Sequence, residues 1–369
     1  MAETFGQLIE QQDMPTSIRG ARAWRIRYSS RDVNGRPTES TGLVIAPTQT
    51  SPETPVLTWC HGTTGLGDAA CPSDQPDPAR ELTVYFSIEA TQSIDYGVPG
   101  LQSFIDSGWV VCATDYQGLG TPGMHHYIVN RSNARDAINI VHAARALPIS
   151  MGLDVGCVGW SQGGGCAAAV AELDDEDYGD LRLIGTVPMS PGVGSIAMST
   201  PSGPTSALGG GDEPPDSHLI MLLAGISAAN PELQLSDVLT PLGVRIIEGA
   251  WNTQPVHHLN DTIARLFRLE GPVLAVKPDV MATWKSAIDA GSAAQHSPRC
   301  PVLMCVDAFD GGTVVPVEWQ TKYAKAVAAI GGQVTTRTYP KDDHFSLPFA
   351  SVGDALEWLN GLRMAAPQA

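Results

Sequence analysis

Short apolar runs alternate with longer stretches of helical periodicity over much of the chain. A parallel sheet is covered by helices on both faces, so its strands are continuous apolar runs. The pattern therefore predicts an α/β protein with a mostly parallel central sheet and helices on both faces. The runs span residues 56–60, 109–114, 155–160, 183–189, 301–306 and 334–339.

Two of the connecting helices have recognisable ends. Asn133 is a suitable N-cap with Asp136 three residues later, and Pro148 ends the helix that follows. Pro316 is a favourable first residue for a second helix, which we expect to stop at Gly331.

The alternation stops between about residues 191 and 298. This interval holds a loop rich in serine, glycine and proline, followed by several helical patterns. It is too long for a simple connection in a compact domain. We therefore predict an α/β core in two parts, residues 1–190 and 299–369, with a helical cap, residues 191–298, over the carboxyl edge of the sheet.

Composition and charge restrict the partners. A formal net charge of −17 over 369 residues argues against nucleic acid and anionic membranes, because both require a positive surface. No apolar run reaches the roughly 18 residues of a membrane span. No basic start followed by an apolar stretch precedes the first strand, so we expect a cytoplasmic protein from the sequence as written. Export with a signal already removed is the alternative.

The seven cysteines give no sign of a metal site. No C-x-x-C spacing occurs, so we expect neither zinc nor any other metal or cofactor. Cys112, Cys157 and Cys305 lie in apolar runs and are expected to be small buried residues. Cys60 and Cys71 flank a glycine-rich loop, where a disulfide between them is one possibility.

The most specific chemical signal is the segment G-W-S-Q-G around Ser161. An apolar run precedes it and an alanine-rich helical stretch follows, which is the strand–turn–helix context of a nucleophile elbow. Side chains at Gly159 and Gly163 would collide with neighbouring backbone in so sharp a turn. We predict that Ser161 is a catalytic nucleophile; a chance match in a glycine-rich chain is the alternative.

The base is expected late in the chain, because triads of this arrangement follow the order Ser, Asp or Glu, His. His344 lies in the loop after the run at 334–339 and is our candidate. His296 precedes a strand and has no evident route to Ser161. The alternative for His344 is a solvated loop histidine.

Two aspartates are candidates for the acid of the triad. Asp307 emerges directly from the run at 301–306, and Asp310 lies in the turn before the helix at Pro316. The acid must reach the far side of the imidazole. A turn residue has that reach more readily, so we prefer Asp310 and keep Asp307 as the alternative.

The oxyanion hole is expected at the end of the run at 56–60. In this arrangement one N–H comes from such a loop and the other from the residue after the nucleophile. This assigns the loop N–H to Thr63 and the N–H after the nucleophile to Gln162. We expect His61 and Asp115 to bond loop backbone.

Several stretches together resemble the secretory lipase family. They are HGTTGLGDAACPS, GVPGLQSFIDSGWVVCATDYQGLGTPG, HHYIVNRSNARDAINIVHAAR, GWSQGG and LQLSDVLTPLGVR, and the similarity runs from about Arg36 to the C-terminus. The resemblance implies the α/β-hydrolase fold with a helical cap and a metal-independent hydrolase of esters or acylglycerols. The family's acidic residue precedes a V-V-P motif; Asp310 matches it, with two more residues between them here.

The sequence therefore predicts a serine carboxylic-ester hydrolase that acts on a small-molecule ester through Ser161, Asp310 and His344. Short- to medium-chain esters are favoured by the acidic surface and the lack of an apolar terminal helix. An acyltransferase or peptidase with the same triad is the first alternative, and a catalytically silent ligand-binding homologue the second. The sequence does not determine the oligomeric state.

Overall fold

The computed structural model describes residues 5–90, 93–200, 213–309, 311–312 and 314–365. Within these residues the strands form one nine-stranded sheet with the order β1-β2-β3-β5-β4-β6-β7-β8-β9. The strands are β1 (Leu8–Met14), β2 (Ala21–Arg31), β3 (Pro37–Pro47), β4 (Val56–Cys60), β5 (Val110–Thr114), β6 (Asp154–Trp160), β7 (Arg182–Met189), β8 (Leu303–Asp307) and β9 (Thr335–Tyr339).

The sheet has an antiparallel part and a parallel part. Strands β4 to β9 are parallel to one another and correspond to the predicted apolar runs. Strands β1, β2 and β3 form an antiparallel ribbon that joins the sheet at β5. The apolar-run pattern missed this ribbon, because β2 buries only alternate residues along much of its length.

Helices cover both faces of the sheet, as predicted. The helices of the core are α1 (Leu101–Asp106), α2 (Asn130–Ala144), α3 (Gln162–Val170), α4 (Asp175–Tyr178), α10 (Val317–Ala329) and α11 (Leu347–Ala365). Side chains of α2, α3 and α10 share one apolar cluster, and those of α1 and α11 share a second. The predicted start of α2 at Asn133 is wrong: the helix begins at Asn130, and Asn133 is buried inside it, bonding to the carbonyl of His126.

Five further helices occupy the described residues between β7 and β8. They are α5 (Gly194–Ser199), α6 (Ser217–Ala229), α7 (Pro241–Ala250), α8 (Val256–Glu270) and α9 (Met281–Gly291). Leucine and isoleucine side chains of α6, α7 and α8 form a third apolar cluster with Trp284 of α9. An isolated bridge between Leu239 and Leu274 joins two parts of this interval. A second bridge, between Gly65 and Pro255, brings the start of α8 to the loop after β4.

The cysteines are free thiols, so the possible Cys60–Cys71 disulfide is not formed. Cys60 instead lies next to Cys166 of α3, with 3.2 Å between the sulfur atoms. Cys71 lies near the hydroxyls of Thr41 and Ser73. In the part of the chain that the structure describes, no helix has both the length and the apolar character to cross a bilayer.

Candidate active site

Ser161 occupies a strained turn between β6 and α3. Its backbone has φ 60° and ψ −117°, a conformation that non-glycine residues rarely adopt. The neighbouring glycines allow the turn to be this tight. A Cβ atom at Gly159 would overlap the carbonyl oxygen of Gly163, and one at Gly163 would overlap that of Cys60. The glycine pattern of the motif is therefore explained by backbone contact.

Trp160 connects the turn to the loop that carries His344. Its indole N–H donates a hydrogen bond of 2.8 Å to the carbonyl oxygen of His344. Its ring also lies under Gly62, where an added Cβ would come within 2.9 Å of the indole. One buried side chain thus contacts both the base loop and the loop after β4.

His344 is buried in the loop between β9 and α11, with 3% of its surface exposed. Its Nδ1 faces two groups from neighbouring strand ends. The hydroxyl of Ser190, directly after β7, lies 3.1 Å from Nδ1, and a carboxylate oxygen of Asp307 lies 3.4 Å from it. The preferred acid of the sequence prediction, Asp310, lies outside the described residues. Among the described residues, Asp307 is the carboxylate that contacts this imidazole.

Asp307 is itself fully buried at the end of β8. Its other oxygen accepts a hydrogen bond of 2.7 Å from the side-chain amide of Gln320 on α10. Burial acts to raise the pKa of Asp307, but interactions with His344, Gln320 and Ser190 outweigh it and hold the pKa below its usual value. The carboxylate is therefore charged and available to the imidazole at neutral pH.

Ser161 and His344 line the same cavity, which has a volume of about 220 Å³. Within the described residues the serine hydroxyl and the imidazole are not hydrogen bonded to each other. Catalytic hydrogen bonds are often long or poorly aligned without substrate and tighten in the complex. The arrangement brings nucleophile and base to one cavity, with the far side of the base against Asp307.

The two predicted oxyanion donors belong to the start of α3 and to the lining of the cavity. Gln162 is the first residue of α3, so its backbone N–H is one of the helix's first donors, which have no partner within the helix. Thr63 lines the cavity, and its hydroxyl is 2.8 Å from that of Tyr127. The Gln162 side chain is held by His125, with 2.7 Å between Nε2 atoms. Burial lowers the pKa of His125 to about 3, so this imidazole is neutral.

Several other polar residues have structural roles. The two ring nitrogens of His61 lie 2.6 Å and 3.1 Å from the carbonyl oxygens of Gly62 and Asp115. The Asp115 carboxylate accepts hydrogen bonds from the backbone and hydroxyl of Ser73. Both agree with the expectation that these residues fix loops. His296 lies beside Glu172, just after α3, which is the end of that helix away from Ser161.

Sequence reasoning missed the polar residues that surround the predicted ones. Ser190 was overlooked, although it follows an apolar run directly and so had to lie at the same sheet edge as Ser161. The cavity is also lined by Asp95 from the loop before α1, and by His218 and His257 from α6 and α8. No spacing in the sequence associates these three residues with the triad, because none of them directly follows a strand of the parallel sheet.

The sheet order, the turn at Ser161 and the helices on both faces define an α/β-hydrolase. The resemblance to the secretory lipases is confirmed, because the family model described as Secretory lipase matches residues 86–200, or 115 of the 369 residues. The chain is therefore a carboxylic ester hydrolase of the lipase and esterase type. A comparison with curated protein sequences finds no match.

Solved structures support the same fold. Lipase A from Candida antarctica, in its closed state, is 15% identical with a TM-score of 0.73, over 99% of this chain and 84% of that one. The rice cell wall degrading esterase LipA from Xanthomonas oryzae is 17% identical with a TM-score of 0.68, over 99% and 98% of the two chains. At these identities the likeness establishes the architecture.

Proposed function

We propose that the protein hydrolyses carboxylic esters through an acyl-enzyme, with Ser161 as nucleophile and His344 as base. The observation that carries this proposal is the strained elbow of Ser161 in one cavity with a buried imidazole whose Nδ1 faces a charged carboxylate. Strain of this kind is retained where the surrounding structure enforces it, and it is concentrated at active sites.

The mechanism uses the neutral imidazole. His344 removes the proton of the Ser161 hydroxyl while the oxygen attacks the ester carbonyl. The backbone N–H groups of Gln162 and Thr63 then stabilise the oxyanion, and His344 returns the proton to the departing alcohol. Water attacks the acyl-enzyme by the same route, which releases the carboxylic acid and restores the serine.

For the acid we propose Asp307, with Asp310 as the alternative that the sequence favours. The contact of 3.4 Å with Nδ1 of His344 supports Asp307, as does a burial that would be costly for an unpaired carboxylate. The match to the family's V-V-P motif supports Asp310. A carboxylate on Nδ1 fixes the tautomer and stabilises the imidazolium that forms during the attack.

The size of the cavity supports short- to medium-chain esters. Its volume of about 220 Å³ is below the roughly 300–1,000 Å³ of pockets that hold drug-sized ligands. Rates with nitrophenyl esters of two to sixteen carbons should therefore peak at the short or middle lengths. A maximum at sixteen carbons would contradict this part of the proposal.

The cytoplasmic location expected from the sequence stays a prediction, which fractionation of the native host tests.

A fluorophosphonate probe tests the nucleophile directly. The wild-type protein should be labelled at Ser161, and Ser161→Ala should lose both labelling and ester hydrolysis. In a related triad, removing the serine costs about 10⁶ in turnover. Ser217→Ala is the matched control, because this serine lines the same cavity and its variant should still be labelled. Labelling that survives Ser161→Ala would refute the mechanism, and an unlabelled wild-type protein would indicate a silent binding protein.

A further inference from the structure

The cavity beside Ser161 contains a buried carboxylate that the proposed mechanism does not use. Asp95 lies in the loop before α1 and has 6% of its surface exposed. It lines the same cavity as Ser161 and His344. A carboxylate in such a position is costly without partners, so its presence in a substrate cavity calls for a hydrogen-bond donor.

Asp95 is held in one orientation by its neighbours. One of its oxygens accepts a hydrogen bond of 2.7 Å from the backbone N–H of Tyr85. The Tyr85 ring stacks on His257 of α8 with 3.5 Å between ring centroids. The Tyr85 ring also contacts the ring of Phe345, the residue after His344, with 6.0 Å between ring centroids. The segment that bonds Asp95 therefore also contacts the loop of His344.

The second oxygen of Asp95 has no hydrogen-bond partner among the residues that the structure describes. The other carboxylate of the cavity differs in this respect. Asp216 is exposed, so water reaches its carboxylate, and one of its oxygens accepts hydrogen bonds from the backbone N–H and the ring of His218, each at 2.7 Å. Burial raises the pKa of Asp95 to about 7, because the single hydrogen bond from the Tyr85 N–H does not offset the loss of hydration of the charged carboxylate.

We propose that Asp95 is a specificity residue that accepts a hydrogen bond from a hydroxyl group of the substrate. The preferred substrates are then hydroxylated esters, whose hydroxyl lies a few atoms from the ester carbonyl. This inference rests on the proposed ester hydrolysis. It adds that the site distinguishes a hydroxyl from a methyl group of the same size, because only the hydroxyl satisfies the free oxygen of Asp95.

Two pairs of esters of equal shape test the inference on both sides of the ester bond. Methyl 3-hydroxybutyrate and methyl 3-methylbutyrate differ by a hydroxyl in the acyl group. The compounds 2-hydroxyethyl butyrate and propyl butyrate differ by one in the alcohol. Acid release measured by titration gives kcat and KM for each. In at least one pair, the wild-type protein should favour the hydroxylated ester in kcat/KM by about tenfold or more.

Asp95→Ala is the decisive variant, because it leaves no group at this position that can bond a substrate hydroxyl. The preference for the hydroxylated ester should fall about fivefold, while kcat/KM for the methyl analogue falls less. Asp95→Asn is the second variant, because its amide oxygen can still accept from the Tyr85 N–H. Asp216→Asn is the matched control, since its carboxylate is exposed to water; the preference should stay the same in that variant.

The outcomes separate this inference from the proposed function. If the wild-type protein hydrolyses both members of each pair equally, or if Asp95→Ala keeps the full preference, Asp95 does not bind a substrate hydroxyl. Fluorophosphonate labelling and hydrolysis of plain esters would persist in that case. Loss of labelling and of all hydrolysis in the wild-type protein would instead refute the ester hydrolase itself. The wild-type ratios require no variant, so poor folding of Asp95→Ala does not remove the test.

Discussion

The two halves of the candidate site are held in place by different means. On the nucleophile side, the position of Ser161 is determined by backbone packed against backbone, with Gly163 against the carbonyl of Cys60. On the base side, side chains from two strand ends, Ser190 and Asp307, meet the imidazole of His344. The first half tolerates no added atom, whereas the second depends on individual hydrogen bonds.

This difference has a consequence for mutations. A change on the nucleophile side acts through sterics and affects folding as well as catalysis. A change on the base side removes one contact from a set, so folding is retained and the turnover falls by an amount that measures that contact.

The largest effect is expected from Gly163→Ala. The added Cβ would overlap the carbonyl of Cys60, and backbone on both sides leaves no room to relax. We expect a destabilisation of more than about 3 kcal/mol, beyond ordinary overpacking of a core, and little folded protein. Thermal unfolding and the yield of folded protein measure it.

Gly249→Ala is the control for this prediction. Gly249 lies in α7, where an added Cβ would meet nothing within 4 Å. Alanine there should stabilise the helix by about 0.5–1 kcal/mol. A Gly163→Ala protein with wild-type stability would show that the tight turn is not what holds Ser161.

The same difference explains how much could be predicted from the sequence. The elbow was predictable, since its glycines and its strand–turn–helix context are local in sequence and have a steric cause. The parallel strands β4 to β8 were predictable because they are largely buried on both faces. Of the antiparallel ribbon, β1 is mostly exposed and β2 buries only alternate residues, which gives a weaker apolar signal, and the buried run of β3 was missed. Ser190 and Asp95 reach the site only through tertiary packing.

The choice of acid stays a prediction, because Asp310 lies outside the described residues. The sequence favours Asp310 because a turn residue reaches further than one leaving a strand, whereas the contact with the imidazole favours Asp307. In the structure, β8 ends beside the loop of His344, so Asp307 contacts Nδ1 without leaving the strand. How far each strand extends at the edge of the sheet depends on the tertiary structure. The position of a residue within its loop does not reveal it.

Asp307→Asn is expected to have the second-largest effect. The amide keeps the shape and the contact with Gln320 but cannot stabilise the imidazolium or fix its tautomer. In a related triad the same change lowers kcat by about 10⁴. Steady-state hydrolysis of a nitrophenyl ester gives the value, with thermal unfolding as the check that the protein is folded.

Asp310→Asn is the paired variant, and under this assignment it should retain most of the turnover. The opposite result, a large loss in Asp310→Asn with little loss in Asp307→Asn, would move the acid to Asp310. Equal large losses would mean that both carboxylates support the imidazole.

A smaller effect is expected from removing the hydroxyl of Ser190, which lies 3.1 Å from Nδ1 of His344. We expect kcat to fall about tenfold in Ser190→Ala, consistent with the loss of about 1.4 kcal/mol of transition-state stabilisation. Ser190 has φ 46°, a backbone conformation that favours glycine. Ser190→Gly therefore removes the hydroxyl while easing the backbone, and it should lose as much kcat as the alanine variant. Full activity in Ser190→Gly would show that the hydroxyl is not used.

The smallest effect concerns acid stability and again separates the two halves. Burial lowers the pKa of His125, which holds Gln162 on the nucleophile side, to about 3, against about 6.5 in the unfolded chain. Between these values the unfolded chain binds a proton that the folded protein does not, so stability is full above pH 6.5 and is lost as the pH falls. Asp307 on the base side has a lowered pKa, so its contribution is lost only below the usual carboxyl range, near pH 4.

Burial also lowers the pKa values of His126 and His257 to about 4, so the His125 contribution is obtained from the difference between the wild type and a His125 variant. From pH 6.5 to 5, His125 alone should cost about 2 kcal/mol, at about 1.4 kcal/mol for each pH unit. His125→Gln removes this titration, so its melting temperature should fall less over the interval than that of the wild type. His296→Gln is the control for the loss of an exposed histidine. If His125→Gln and the wild type lose the same melting temperature, protonation of His125 does not limit the stability of the elbow in acid.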